Sequence, residues 1–287
     1  MALTVNTNVA SLNAQRNLQT NQASLNSVFQ RLSSGLRVNS AKDDAAGLAV
    51  AEGLSSIIRA STVAVRNAND GISMGQTAET ALGNVANQLQ RIREIAVQAA
   101  NGSITDTQRG NLQKEVDQLT QEISRTIGGT SFNGVGLLDA SNSGGITFQI
   151  GAGSADTVTV SGANITGFSS FSGAASAGIT GGVTATGVVD VSTASGASAA
   201  LSSLDTDIDT VTSQRATFGA VQNRFEAVIS GLQGYSESLS AARGRIVDAD
   251  FASETAALTR GQILQQASTA ILAQANALPQ NALTLLK

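Results

Sequence analysis

Asp205, Asp207 and Asp209 stand at alternate positions, the spacing at which an EF-hand loop offers its first, third and fifth ligands to calcium. Such a loop also needs glycine at its sixth position and a bidentate glutamate at its twelfth. Thr210 and Ala216 occupy those places. The three aspartates are therefore read as negative charge in the first turns of a helix, where the macrodipole favours it. Asp248 and Asp250, flanked by Arg243 and Arg245, read as a charged connector between helices, because a glycosidase-type carboxylate pair needs a cleft that nothing here builds. Lys42, Lys114 and Lys287 are the only lysines, and none follows a glycine, which excludes a Walker A loop. Gly151-Ala152-Gly153 is a fragment of a dinucleotide fingerprint, but it opens no helix and lacks the third glycine.

The absences exclude more. The chain of 287 residues has no His, no Cys, no Trp and one Pro, so a Cys/His zinc site, a Ser-His-Asp triad, a thiol nucleophile, a disulfide framework and a histidine pH switch are all impossible. No cofactor is expected. Apolar residues make up 41% of the chain but aromatic ones only 3%, a composition that suits thin layers of small side chains better than a thick globular core. A net charge of −4 provides no basic footprint for nucleic acid or an anionic membrane. No cleavable signal is read at the N-terminus, and no stretch is read as apolar enough to span a bilayer.

The elements that must position any surface fall into three parts. Sixteen of the 29 glycines lie between Gly128 and Ala197, and no Lys or Arg occurs between Arg125 and Arg215. Two helical flanks therefore enclose a weakly charged Gly/Ser/Thr/Val middle. In the N-terminal flank Leu18, Leu25 and Leu32 are spaced by seven, with Phe29 and Leu36 beside them, a heptad seam. After Gly35, Ser40 and Asp43 read as the capping box of a second helix. That helix carries Ile58, Val65, Ile72, Leu82 and Leu89 and meets no strong break before Asn101-Gly102. A periodic run of this length points to a coiled coil or bundle. Thr105 and Gln108 form another capping box, and Leu112, Val116, Leu119, Ile123 and Ile127 predict a third helix ending at Gly128-Gly129.

The C-terminal flank has the strictest repeat: Leu204, Val211, Phe218, Phe225, Leu232 and Leu239, each seven residues from the last, which implies a left-handed supercoil against partner helices. A last helix presents Phe251, Leu258, Leu264, Ile271 and Leu278, followed by Leu283, Leu285 and Leu286. In the middle, Ile146–Ile150 and Thr157–Val160 alternate like the strands of a hairpin, and Phe168 to Gly187 reads equally as loop or short strand. The fold expected is mainly α, with long coiled-coil or bundle flanks formed by both chain ends and a small β-hairpin element between. Each flank carries an apolar stripe it cannot bury alone, and unpacked helices of this kind are marginal in water. The two terminal stripes are expected to pair with each other and then with other chains.

Several blocks in order make this sequence resemble the bacterial flagellins: Ala2-Leu3-Thr4-Val5-Asn6-Thr7-Asn8, Arg31-Leu32-Ser33-Ser34-Gly35-Leu36-Arg37, Asp43-Asp44-Ala45-Ala46-Gly47-Leu48, Leu89 to Gln98, Phe132-Asn133-Gly134, Gly219 to Arg224 and Leu278-Pro279-Gln280-Asn281. The resemblance implies a structural, non-enzymatic subunit that self-assembles into the flagellar filament, the propeller of swimming bacteria, with a hook–filament junction protein as the alternative. It implies a terminal coiled-coil inner-core layer, assigned to residues 1–42 and 246–287, and a helical bundle layer at 43–245 with a β-rich insert at about 130–197 and no large outer domain. Leu18, Leu25, Phe29, Leu32, Leu36, Phe251, Leu258, Leu264, Ile271, Leu278, Leu283, Leu285 and Leu286 would pack the inner core and neighbouring subunits. Ile58, Val65, Ile72, Leu82, Leu89, Leu204, Val211, Phe218, Phe225 and Leu232 would form the bundle seam. The resemblance further implies an extracellular location reached without a cleaved signal peptide. The partners it brings are the chain itself, an export chaperone, the filament cap, hook-junction proteins and host flagellin receptors. Among the last, a Toll-like receptor would read Arg91 and Glu115, with Ile95 where Leu is common, and inflammasome receptors would read the terminal leucines.

Overall fold

The computed structural model describes residues 7–139, 142, 144–163, 165 and 189–284, with side chains to residue 277. The Phe168 to Gly187 segment, Leu285 and Leu286 lie outside the described residues, as do the side chains of Leu278 and Leu283. Among the described residues five helices, α1 (Val9–Ser34), α2 (Ala45–Ala100), α3 (Asp106–Gly129), α4 (Ala194–Val247) and α5 (Phe251–Thr284), carry the mainly α fold, and two small hairpins follow α3. The chain divides into two compact units, Met1–Ile58 with Glu237–Lys287, and Arg59–Ser236.

In the first unit α1 and α5 pair antiparallel. Asn8 caps α1 by accepting the Ser11 N–H through its side chain and also donates to the Ala275 carbonyl at 2.8 Å. Ser11 Oγ meets Asn276 Oδ1 at 2.8 Å, Asn21 donates to Ser268, and Arg31 reaches Glu254 at 3.3 Å. The pair is thus joined by a polar ladder, with Leu25 its best-buried apolar member at 5% exposure. Leu25 faces Gly261, where a Cβ would stand 2.9 Å from the Leu25 Cγ. Gly35, at φ 71°, ends α1 in the left-handed conformation that glycine adopts without a Cβ penalty.

The connectors at the two helix ends pair through their backbones. Leu36 and Asp248 form an antiparallel bridge, the Arg37 N–H donates to the Val247 carbonyl, and the Ala249 N–H donates to that of Gly35. Beneath them Val38, Ala51 and Val247 make a small core.

One cap differs from the sequence reading. Helix α2 begins at Ala45, and Asp44 closes its first turn by accepting the Gly47 N–H at 2.8 Å. Ser40 and Asp43 form the preceding turn instead: Asp43 Oδ2 accepts from the Asn39 N–H, the Ser40 N–H and the Ser40 hydroxyl. The Ser40 hydroxyl, then the two backbone donors, hold the Asp43 carboxyl below the usual carboxylate range. The serine sits too far upstream to reach the free N–H groups of a helix starting at Ala45.

A second difference concerns α2 itself. It contains an 18-residue window of mean hydropathy 1.4, long and apolar enough to cross a membrane by length and composition, with 17% of it buried. Alanine and valine raise the hydropathy without any continuous run of large apolar side chains, which is why the pattern did not read as a span. Near the start of α2, Leu48, Leu54, Ile57, Ile58 and Val65 are partly buried, while Val50 and Val63 are exposed.

The second unit is built on the seams. Leu82, Leu89, Ile92, Leu204, Val211, Phe218 and Phe225 all join one core with exposures of 2% or less. Gly71 lets α2 approach the Phe225 ring, which a Cβ there would meet at 2.6 Å. Phe225 in turn stacks edge-on against Phe148 at 5.5 Å and 81°, joining the hairpin to the helices in a favourable aromatic geometry. Ile72 is partly buried against the same core, whereas Leu232, later on the heptad, is half-exposed. Ile58 and Val65 are also half-exposed. The strict repeat therefore continues past the point where the chain itself covers it.

Thr105 and Gln108 form the reciprocal capping box of α3, and Arg109, 6% exposed, ties the turn before it. Its guanidinium donates to the carbonyls of Ala99 and Asn101 and to Asp106 Oδ1. Thr105→Ala should lower the stability of this unit by about 1 kcal/mol, read as a lower urea midpoint at unchanged m-value.

The middle contains the predicted hairpin, β3 (Ile146–Gln149) paired antiparallel with β4 (Thr157–Val160). Ahead of it lies a smaller one, β1 (Ser131–Phe132) with β2 (Val135–Gly136). Its turn is Asn133-Gly134, with φ 51° and 80°, the positive pair that a type I′ turn requires. Both ends of the segment outside the described residues are fastened. Ala163 and Ile165 donate to the carbonyls of Leu137 and Leu138, and Gln113 accepts the Val191 N–H while donating to the Val189 carbonyl.

Candidate assembly surfaces

Several charged side chains tie helices to one another, Arg31 to Glu254, Arg91 to Glu115 and Arg93 to Asp205. Asp205, Asp207 and Asp209 lie well inside α4, which begins at Ala194, so the reading of them as first-turn charges is corrected. Asp205 instead accepts from Arg93 Nε at 2.5 Å, tying α4 to α2, and Asp207 is buried. The sequence lacked any local signal for this, since Arg93 is 112 residues away. Among the described residues no group of three or more carboxylates gathers to hold a metal. An open groove of about 770 Å³ runs past Thr77, Asn84, Gln88, Glu122, Arg125 and Thr126. Its charged pair is closed on itself: the Arg125 guanidinium lowers the Glu122 carboxyl by direct hydrogen bonding.

What remains open is apolar. In the first unit Phe29 is 50%, Phe251 56%, Leu264 44% and Ile271 60% exposed. These belong to the seam expected to pack, and with Val9, Leu12, Val50 and Ile263 they form surface the unit does not cover. Leu18, Leu32, Leu36 and Leu258 are half-covered. Burying a side chain of this size is worth about 1.5–3 kcal/mol, so leaving several in water costs the isolated chain and rewards any neighbour that covers them. In the second unit Arg91 donates to Glu115 Oε1 from Nε and Nη2 and to Glu94 from Nη1. Glu115 is the larger of the two influences raising the Arg91 guanidinium above its ordinary range. Ile95, assigned with them to a receptor, is 1% exposed and sits in the core beneath the pair, so its side chain is not available on this surface. The chain buries it because it falls on the same stripe as Ile92 and Leu89, spaced three and six residues away on α2.

Residues 5–143 match the family model of the bacterial flagellin N-terminal helical region, and residues 201–286 that of the C-terminal helical region. The chain belongs to the bacterial flagellin family. It is 41% identical to the flagellin of Bacillus subtilis (strain 168) over 99% of both chains. It is 38% identical to polar flagellin F of Vibrio parahaemolyticus serotype O3:K6 over 100% of both, in an alignment of 377 residues. A solved structure assigned to a flagellar hook-associated protein of Vibrio parahaemolyticus is 17% identical, with a TM-score of 0.55 over 72% of this chain and 100% of that one, and shares the fold alone. As a flagellin the chain is a structural subunit of the bacterial flagellar filament.

Proposed function

We propose that the α1/α5 pair is the polymerising element of this flagellin and that Phe29, Phe251, Leu264 and Ile271 are covered by neighbouring subunits. The observation that carries the reading is the exposure of these four large side chains on the paired helices α1 and α5. Contacts of this kind are heterologous, each subunit presenting one face to the next and another to the last, and where the rotation does not close they generate an open helical filament. Residues 1–42 and 246–287 are assigned to the inner layer of that filament and 43–245 to its bundle layer, with no large outer domain. Leu18, Leu25, Leu32, Leu36, Leu258, Leu278, Leu283, Leu285 and Leu286 belong to the same packing element. The bundle seam, Ile58, Val65, Ile72, Leu82, Leu89, Leu204, Val211, Phe218, Phe225 and Leu232, keeps the subunit itself together.

The subunit has no catalytic role in this reading. It leaves the cell unfolded and without a cleaved signal peptide, and the apolar termini order as it joins the filament. An export chaperone, the filament cap, hook-junction proteins and host flagellin receptors are its further partners in this reading. Receptor reading falls on the exposed Arg91 and Glu115, with Ile95 supporting them from beneath; Arg91→Glu in a receptor-reporter assay tests that point. Removing Leu283 to Lys287 should yield a soluble monomer that no longer extends seeds, and normal filaments in electron micrographs of that truncation would sink the proposal.

A further inference from the structure

The turn between α2 and α3 contains an Asn-Gly step, and its surroundings favour a chemical change of the chain itself. We propose that Asn101 is a site of spontaneous deamidation and that Arg109 directs the product to isoaspartate. Asn101 and Gly102 are exposed. A Cβ at Gly102 would meet nothing within 4 Å, so its nitrogen has room to approach Asn101 Cγ, and among the described residues its N–H has no carbonyl partner. The Ser103 N–H donates to Asn101 Oδ1 at 3.1 Å. That bond draws charge from Cγ and is in place to hold the negative oxygen that forms when Cγ is attacked. The main-chain carbonyl of Asn101 accepts from the Ile104 N–H at 3.2 Å and from Arg109 Nη2 at 3.0 Å. Arg109 is itself fixed by the Ala99 carbonyl and Asp106, each at 2.8 Å.

The reaction needs only water. The Gly102 N–H gives its proton to solvent base, and the nitrogen bonds to Asn101 Cγ. The bond from Cγ to the side-chain nitrogen breaks, and that nitrogen takes a proton and leaves as ammonia. The remaining five-membered succinimide has two carbonyl carbons. Water adding at Cγ breaks its bond to the Gly102 nitrogen and gives aspartate. Water adding at the α-carbonyl carbon breaks the other bond to that nitrogen, so that the main chain runs through Cβ and Cγ and the α-carboxylate is freed. The oxygen facing Arg109 is the α-carbonyl oxygen. The guanidinium therefore stabilises the oxyanion on the second route and afterwards pairs with the carboxylate it produces. Each event adds one negative charge to a chain already at −4.

The second Asn-Gly step, Asn133-Gly134, is a reference within the same molecule. It is held at the tip of the β1–β2 hairpin in positive φ, and among the described residues no guanidinium bonds its carbonyl. Full-length monomer incubated in buffer at mildly alkaline pH, then mapped by mass spectrometry with fragmentation that separates isoaspartate from aspartate, tests the inference. In the native chain Asn101 should convert faster than Asn133. Its isoaspartate-to-aspartate ratio should exceed that of the urea-unfolded chain by a factor on the order of ten, the effect of one charged hydrogen bond. Arg109→Lys should bring the ratio down toward the unfolded value. The native-versus-unfolded comparison on the unaltered chain does not depend on that variant folding. Equal ratios in the two states, or slower conversion at Asn101 than at Asn133, would overturn the assignment.

Discussion

Phe225→Ala is expected to destabilise the Arg59–Ser236 unit by about 3–5 kcal/mol, the cost of emptying a fully buried aromatic site. The ring is 0% exposed and has the Gly71 backbone on one side and the Phe148 ring on another, so its removal leaves a void between them. For a unit of this size the loss corresponds to a fall in melting temperature on the order of 10 °C, measured by circular dichroism on the monomer. Leu232→Ala, on the same heptad and half-exposed, should cost much less. Gly71→Ala separates the causes. Added alone, its Cβ meets the Phe225 ring at 2.6 Å, and overpacking of about 1–3 kcal/mol outweighs the gain of about 1 kcal/mol from replacing a helical glycine. Added to Phe225→Ala, the clash has gone and the helix gain remains, so the change should become neutral or stabilising. Additive costs in the double variant would contradict the close approach.

The long helices were legible because apolar residues at heptad spacing admit one geometry, and the lack of breakers between Asp44 and Ala100 left α2 nothing to stop at. The capping box at Thr105 was legible for the same local reason. What escaped depends on distance along the chain. Arg93 finds Asp205 only after two helices are packed, and nothing in either neighbourhood announces the pair. Gly71 and Gly261 read as isolated helical glycines, yet each is a notch for one side chain, Phe225 or Leu25, from the far end of the sequence. The β1–β2 hairpin was missed despite the Asn133-Gly134 signal, because two-residue strands carry no alternation to count. Heptad spacing also could not say which seam positions the chain covers: Leu25 and Phe29 are alike in pattern, but one is 5% and the other 50% exposed.

Gly261→Val should impair assembly far more than it impairs the folded monomer. A Cβ at position 261 stands 2.9 Å from Leu25 Cγ and 3.1 Å from its Cδ2, and Cγ is the branch point of the leucine, which cannot swing aside without moving the whole side chain. Valine adds two methyl groups to that conflict and has little freedom at χ1 in a helix. The α1/α5 pair is joined elsewhere by amide and hydroxyl bonds at the surface, each worth only about 0.5–1.5 kcal/mol net, and these cannot absorb a displacement of the helices. If the apolar faces of the pair are the polymer contact, a misplaced pair presents them out of register. An overpacking cost of about 1–3 kcal/mol raises the critical concentration for seeded elongation by roughly 5- to 150-fold, measured by sedimentation of polymer from monomer. The thermal transition of the Arg59–Ser236 unit should not move, since Gly261 and Leu25 both belong to the other unit. Leu25→Ala combined with Gly261→Val trades volume across the same contact and should recover part of the elongation. An unaltered critical concentration in Gly261→Val would mean that filament contacts tolerate an open terminal pair, and the polymerising surface would then have to be sought elsewhere, beginning with the exposed Val50 and Val63 of α2.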